Sequence, residues 1–337
     1  MVVLGVSLVC AAASVGVLIP GLRKWQIIDV PNARSSHSAP VPRGGGIGIL
    51  VGVLAGVLAS QLAVGGHLEN EVDKPVLAWL PLLVALAMAA LGLMDDMSSL
   101  PGSVRLAVQA VVFGLASWGL AASTSDMDVS SWLFVPLAAF VGVGFVNAFN
   151  FMDGVNGISS LNAIVAGTWF AWLGAYQDVD GLVVPGLALA GASLGFLPWN
   201  APRARIFLGD VGSYAIGALI IMMSVVSWVQ GVPIALCVAP LVIYVVDTGW
   251  AITKRAMGGR ALMDAHREHV YQRLVDSGWS HLGASLTTAA ASVACVTVAV
   301  VLQRYSSLVA LTAMAVVAAL YLSLPHLHSD RDGVTRS

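Results

Sequence analysis

LLVALAMAALGLMDD, residues 82–96, decides how the rest of the chain is read. With the residues from 75 onward it is an uncharged apolar run about as long as the 20 residues a hydrocarbon core requires. It stops on two adjacent carboxylates, Asp95 and Asp96. Side-by-side acids repel and raise one another's pKa unless a cation intervenes. The ending is therefore either a helix terminus in water or a helix that delivers two acids to a membrane surface.

The same pattern of long apolar runs recurs along the chain. Of 337 residues, 58% are hydrophobic and 10% charged, and the mean hydropathy is +0.86. A soluble domain carries about 25% charged residues, so the deficit points to lipid. Eleven segments are long and apolar enough to span: 2–20, 45–64, 75–94, 104–122, 131–149, 158–176, 182–198, 212–229, 232–251, 282–301 and 306–324. Backbone polar groups in lipid must bond within their own segment, so each is expected to be a helix. The first run lacks the basic flank of a signal peptide and is kept as a span. The expectation is an all-α polytopic membrane protein, with residues 1–325 as one transmembrane domain and 326–337 as a disordered tail. A net charge of −2 offers no basic face for nucleic acid. The three cysteines, Cys10, Cys237 and Cys295, lie in apolar runs and suggest neither disulfides nor a metal site.

Lys and Arg set the orientation. With the N-terminus outside, only Lys74 and Arg304 of the 16 basic residues fall in outer segments. A miscounted span would mix the two sets, so the separation supports both the count and a cytoplasmic C-terminus. The inner loops are also the chemically rich ones. A transporter would be expected to place polar groups near the bilayer midplane, whereas here only Asp247 approaches a span centre.

Each rich loop has a plain reading and a functional one. Asp95 and Asp96 suit a solvated helix end, or a cation and a phosphate. In IFLGDVGSYAIG, residues 206–217, Asp210 is either a helix cap or a metal ligand, and the N–H groups near Gly212 and Ser213 would favour an anion. NAFNFMDGVNG, residues 147–157, sets Asn147, Asn150, Asp153 and Asn156 at three-residue spacing, on one helix face if the helix continues. Amide side chains there can bind a cation through oxygen or read a base edge in both directions. DAHREHVYQRL, residues 264–274, offers His266, Arg267 and His269 as an anion cradle. No Cys or third His is placed to complete a zinc site. DVPNARSSHSAPVPRGGG, residues 29–46, carries Arg34, His37 and Arg43 and could hold anionic head groups. Asp247, with Lys254 and Arg255 one to two turns on, reads as a structural ion pair.

Taken in order, these five segments resemble the polyprenyl-phosphate N-acetylhexosamine-1-phosphate transferases, specifically the branch that starts bacterial O-antigen and related glycans. The likeness runs from Asp29 to Arg273. It implies transfer of a sugar phosphate from a UDP-N-acetylhexosamine to undecaprenyl phosphate, with Mg²⁺ or Mn²⁺ as cofactor. It further implies a place in the bacterial inner membrane with the active site on the cytoplasmic face, and leaves room for a homodimer. By the same resemblance Asp210 matches the metal-binding acid and Asn150 a second metal ligand. Asp95, with Asp96 beside it, matches the residue that deprotonates or orients the lipid phosphate. Asn156 matches a contact to uracil, with Asp153 and Asn147 lining that pocket, and Arg105 matches a basic position near the pyrophosphate. His266, Arg267 and His269 match the loop that holds pyrophosphate and sugar.

The phospho-N-acetylmuramoyl-pentapeptide transferases of the same family carry a second acid where Asn156 stands and a denser histidine cluster where HREH stands. Those departures weigh against a peptidoglycan precursor as donor. A lipid or ion transporter and a catalytically inert relative are the other readings. The first predicts acids at span centres and the second predicts loss of Asp95, Asn150 or Asp210.

Overall fold

In the computed structural model, residues 1–29, 40–63, 75–123, 131–260 and 267–333 are described, and eleven helices among them are long and apolar enough to cross a membrane. They are α1 (Val2–Lys24), α2 (Gly46–Ala63), α3 (Pro75–Ser98), α4 (Gly102–Ser123), α5 (Ser131–Met152), α6 (Ile158–Gln177), α7 (Val183–Asn200), α8 (Asp210–Val229), α9 (Ile234–Met257), α11 (His281–Gln303) and α12 (Ser307–Gly333). A short helix, α10 (Val270–Asp276), precedes α11, and a 3-10 stretch, Ala239–Leu241, tightens α9. Every expected span is present, and the chain is an all-α polytopic membrane protein.

Several helix ends run past the sequence reading, and two of them matter most. α3 continues through Ser98, so Asp95 and Asp96 sit on its last turn. Ser99 then turns left-handed (φ 48°) ahead of Pro101, which stops the helix. α12 continues to Gly333, so the tail expected to be disordered from 326 is helical over its first part. Residues 334–337 lie outside the described ones.

α8 forms the axis of the bundle. Its residues Val211–Ser224 are all buried, whereas α1 and α12 expose most of their length. A helix apolar on all sides needs partners all round, and α3, α5 and α2 supply them. α3 and α8 approach closely at Gly92, where a Cβ would collide with the backbone of Asp210 and Val211. Small residues at such contacts let helices pack in lipid, where no hydrophobic force drives them together. This contact fixes the last turn of α3 against the first turn of α8.

A two-residue ribbon completes the frame. β1 (Ile28–Asp29) pairs antiparallel with β2 (Val41–Pro42), Ile28 opposite Pro42. Beyond β2 the chain lies along the segment leading into α8: Phe207 N donates to Pro42 O at 2.8 Å, and Gly46 N to Leu208 O at 2.8 Å. Arg43 is thereby carried to the start of α8.

Candidate active site

Successive residues of a helix point about 100° apart, and Asp95 and Asp96 accordingly serve different neighbours. Asp95 is 3% exposed. Its Oδ1 accepts from Leu100 N at 2.8 Å, and its Oδ2 accepts from Arg105 Nη1 at 2.7 Å and from the Tyr214 hydroxyl at 3.1 Å. Asp96 turns towards α8. It accepts from Asp210 N and Val211 N, both at 3.0 Å, and pairs with Arg43 Nε at 3.0 Å. Arg43 Nη2 also donates to the Asp96 carbonyl at 2.9 Å.

Asp96 thus caps α8 from a neighbouring helix. The residue at the cap position is Gly209, with φ 77°. A side chain there would be strained, and its Cβ would sit 2.7 Å from Asp96 Oδ2. This corrects two readings. Asp210 is not the cap of α8, and the N–H groups near Gly212 and Ser213 do not await an anion: those two donate to Gly209 O, both at 3.0 Å, while Asp210 N and Val211 N donate to the Asp96 carboxylate.

Asp210 is the half-buried acid at the centre. Asn150, at the end of α5, donates from Nδ2 to Asp210 Oδ1 at 2.7 Å and to Ser213 Oγ at 2.8 Å. Asn147, one turn earlier, is drawn away: its Nδ2 donates to Gln109 Oε1 at 2.7 Å and to Val143 O at 2.8 Å. The expectation that it lines the same pocket as Asn156 is not met, because α5 ends at Met152 and the asparagine face is not continuous. Asn156 lies in the turn beyond. Its Nδ2 donates to Pro202 O at 3.0 Å, and Gly157 N donates to Asn200 Oδ1 at 2.6 Å, tying that turn to the end of α7 and the residues just beyond it.

Asp153 stands between these groups, outside the spans. Burial pushes its carboxyl up to about 6; the Ser159 hydroxyl, donating to Oδ1 at 2.6 Å, opposes this and the Asp96 charge adds to it. The folded protein therefore holds this proton more tightly than the unfolded chain, whose Asp titrates at about 3.9. As pH rises from about 4 to about 6 the folded state loses stability on this account, and above both values the loss is complete and constant. The Tm of Asp153→Asn, relative to the parent protein, should accordingly climb across that interval and then hold level. A difference independent of pH there would mean that Asp153 titrates normally.

The third segment is arranged differently from expectation. His266 lies outside the described residues, as do Arg34 and His37. Arg267 Nη2 pairs with Asp276 Oδ1 at 2.6 Å, both partly exposed, leaving the cation at the surface of α10. His269 is not part of an open cradle. It is 2% exposed, with Nδ1 3.2 Å from Asp247 Oδ1. Asp247 in turn is not the partner of Lys254 or Arg255. Arg255 Nη1 and Arg260 Nη1 each meet Glu268 Oε1 at 3.1 Å instead.

Tyr214 and the Ser213 hydroxyl enter the site without having been assigned to it from sequence, and Arg43, read only as part of a loop for anionic head groups, joins it as the partner of Asp96. Tyr214 and Ser213 follow Asp210 at helical i+4 and i+3 spacing, which was a usable signal. Arg43 reaches Asp96 only through the pairing of residues 42–46 with 207–208, which leaves no trace in local sequence.

Among the described residues no three His, Cys, Asp or Glu side chains form a metal-binding group. Asp210 and the carbonyl end of Asn150 are hard oxygen donors on a half-buried wall. That set suits Mg²⁺, which is typically held by one or two carboxylates with waters and substrate phosphates completing its shell.

The sequence profile described as glycosyl transferase family 4 matches residues 78–228. That stretch includes Asp95, Asp96, Arg105, Asn147, Asn150, Asp153, Asn156 and Asp210, and stops short of Arg267. A decaprenyl-phosphate N-acetylglucosaminephosphotransferase of Mycobacterium leprae is 31% identical over 80% of this chain and 75% of its own. A probable undecaprenyl-phosphate N-acetylglucosaminyl 1-phosphate transferase of Bacillus subtilis is 27% identical over 83% of this chain and 80% of its own. An undecaprenyl-phosphate alpha-N-acetylglucosaminyl 1-phosphate transferase of Thermotoga maritima is 31% identical over 60% and 58% respectively.

Proposed function

The chain belongs to the polyprenyl-phosphate N-acetylhexosamine-1-phosphate transferase family, and from that premise we propose that it moves an N-acetylhexosamine-1-phosphate from a UDP-sugar to undecaprenyl phosphate. An acceptor phosphate oxygen forms a bond to the sugar-linked phosphorus. The bond from that phosphorus to the bridging oxygen of UMP breaks, and UMP leaves with the electron pair. The products are UMP and undecaprenyl-diphospho-sugar. The observation that carries this reading is the junction of α3 and α8: Asp210, Asn150, Arg43 and Arg105 gather where two membrane helices end. A lipid phosphate and a soluble nucleotide can meet only at such a place.

The residues divide the work. Asp210 and Asn150 Oδ1 would hold Mg²⁺ or Mn²⁺, which supplies charge neutralisation on the diphosphate. Asp95 and Asp96 belong to the acceptor side. A phosphate monoester loses its second proton at about pH 6, so the acceptor arrives largely as a dianion and needs alignment more than deprotonation. The two acids meet that need by holding Arg105 and Arg43, whose cations draw and orient phosphate. Asn156 would offer an amide to the uracil edge, and Arg267 would reach the sugar and diphosphate only by leaving its surface pair with Asp276.

The distribution of Lys and Arg supports an outer N-terminus and an active site on the cytoplasmic face of the bacterial inner membrane. The product would be the first membrane intermediate of a surface glycan such as O-antigen. Purified protein, undecaprenyl phosphate and Mg²⁺ should release UMP with one of a panel of UDP-N-acetylhexosamines. EDTA should abolish release, and added Mg²⁺ should restore it. Absence of UMP with every donor tried, or full turnover in EDTA, would overturn the respective assignment.

A further inference from the structure

A buried chain of contacts runs from α9 to the turn that carries Asn156. Asp247 is 1% exposed inside a membrane-spanning helix. A carboxylate there is expensive unless paired, and this one is heavily engaged. His269 Nδ1 lies 3.2 Å from its Oδ1, Val270 N donates to its two oxygens at 3.2 and 3.1 Å, and the Tyr321 hydroxyl donates to Oδ2 at 3.2 Å. Tyr321 also meets Thr288 Oγ1 at 3.1 Å. One acid therefore gathers α9, α11, α12 and the start of α10.

The chain continues towards the site. The His269 ring stacks on Tyr271 with centroids 5.6 Å apart and planes 18° from parallel. Tyr271 is fully buried, and its hydroxyl donates to Phe151 O at 2.9 Å. Its ring lies so close to Gly154 that no side chain fits there. Phe151 and Gly154 bracket Asp153, and Asn156 follows two residues later.

We propose that Asp247 is a positioning residue for the nucleotide end of the site. It touches no substrate. It fixes His269 and the first turn of α10, and through Tyr271 they clamp residues 151–157 in one conformation. Seating a seven-residue helix requires only a neutral acceptor at its start. A buried carboxylate that also engages a histidine, and through it the ring that locks Gly154, does more than seat α10. The kinetic half of this inference rests on the transferase reading, whereas the conformational half does not.

The test uses the full chain in lipid nanodiscs. Asp247→Asn keeps the size and one acceptor oxygen but loses the charge. Tyr271→Phe removes only the hydroxyl that reaches Phe151, and it carries the test alone should Asp247→Asn fail to fold. Each should speed backbone amide exchange at residues 153–157 by at least about tenfold, the mark of a local opening. Each should lower kcat/KM for the UDP-sugar by about 10- to 100-fold, on the scale of a 1 Å misplacement, with the KM for undecaprenyl phosphate unmoved. The double variant should be little worse than Asp247→Asn, because both act through one path. Unchanged exchange at 153–157, additive losses, or equal losses for both substrates with a matching fall in Tm would overturn the proposal. Faster exchange in a protein whose parent releases no UMP would uphold the clamp and overturn the transferase reading instead.

Discussion

Asp210→Asn should cut UMP release by at least about 100-fold, the scale of losing a principal electrostatic contact in a transfer site. The substitution removes one negative charge and little else. Asn150 Nδ2 can still donate to the side-chain oxygen at position 210 and to Ser213 Oγ, its partners at 2.7 and 2.8 Å. The backbone N–H of residue 210 can still donate to Asp96. Tm should therefore move little while turnover collapses, and excess Mg²⁺ should recover only a small part of it. Turnover near that of the parent protein at saturating Mg²⁺ would remove Asp210 from the metal site.

Asp96→Ala should be the most destabilising single change at the site, by about 2 to 4 kcal/mol. A lost helix cap accounts for about 1 kcal/mol, and stranding a charged hydrogen-bonding partner adds about 1 to 3 kcal/mol. Three donors lose their acceptor at once: Asp210 N, Val211 N and Arg43 Nε. The Arg43 side chain is 31% exposed, so water relieves part of the penalty and the buried-pair extreme does not apply. Asp96→Asn, which keeps an acceptor, should fall between. Unfolding measured in the same detergent would decide it; a loss for Asp96→Ala no greater than for Asp210→Asn would show that the cap contributes nothing. Activity should fall together with stability, since the first turn of α8 carries Asp210.

What could be read from the sequence and what could not divide along a physical line. The spans were legible because lipid makes the same demand on every residue of a helix, and length with apolarity expresses it. The identities of the site acids were legible because Asp95, Asp96 and Asp210 interrupt that pattern. Their partners were not. Asp96 looked like a second acid for a phosphate, yet it caps a helix that begins 114 residues later. His269 looked like an exposed anion ligand beside Arg267, yet it is buried against Asp247, 22 residues earlier on another helix. Asn147 and Asn150 looked equivalent by spacing, and only the position of α4 sends one to Gln109 and the other to Asp210. In each case the residue type gave the chemistry and tertiary packing chose the partner.

The glycine seam between α3 and α8 bears on how the molecule can be handled. Backbone lies against backbone at Gly92, so no lipid molecule takes part in that contact. Helices such as α1 and α12, exposed along most of their length, depend on their surroundings for lateral support. Extraction into a detergent micelle should loosen that periphery first and leave the acid-bearing seam in register. Activity lost on purification should then return when lipid is added back, with no denaturation and refolding step.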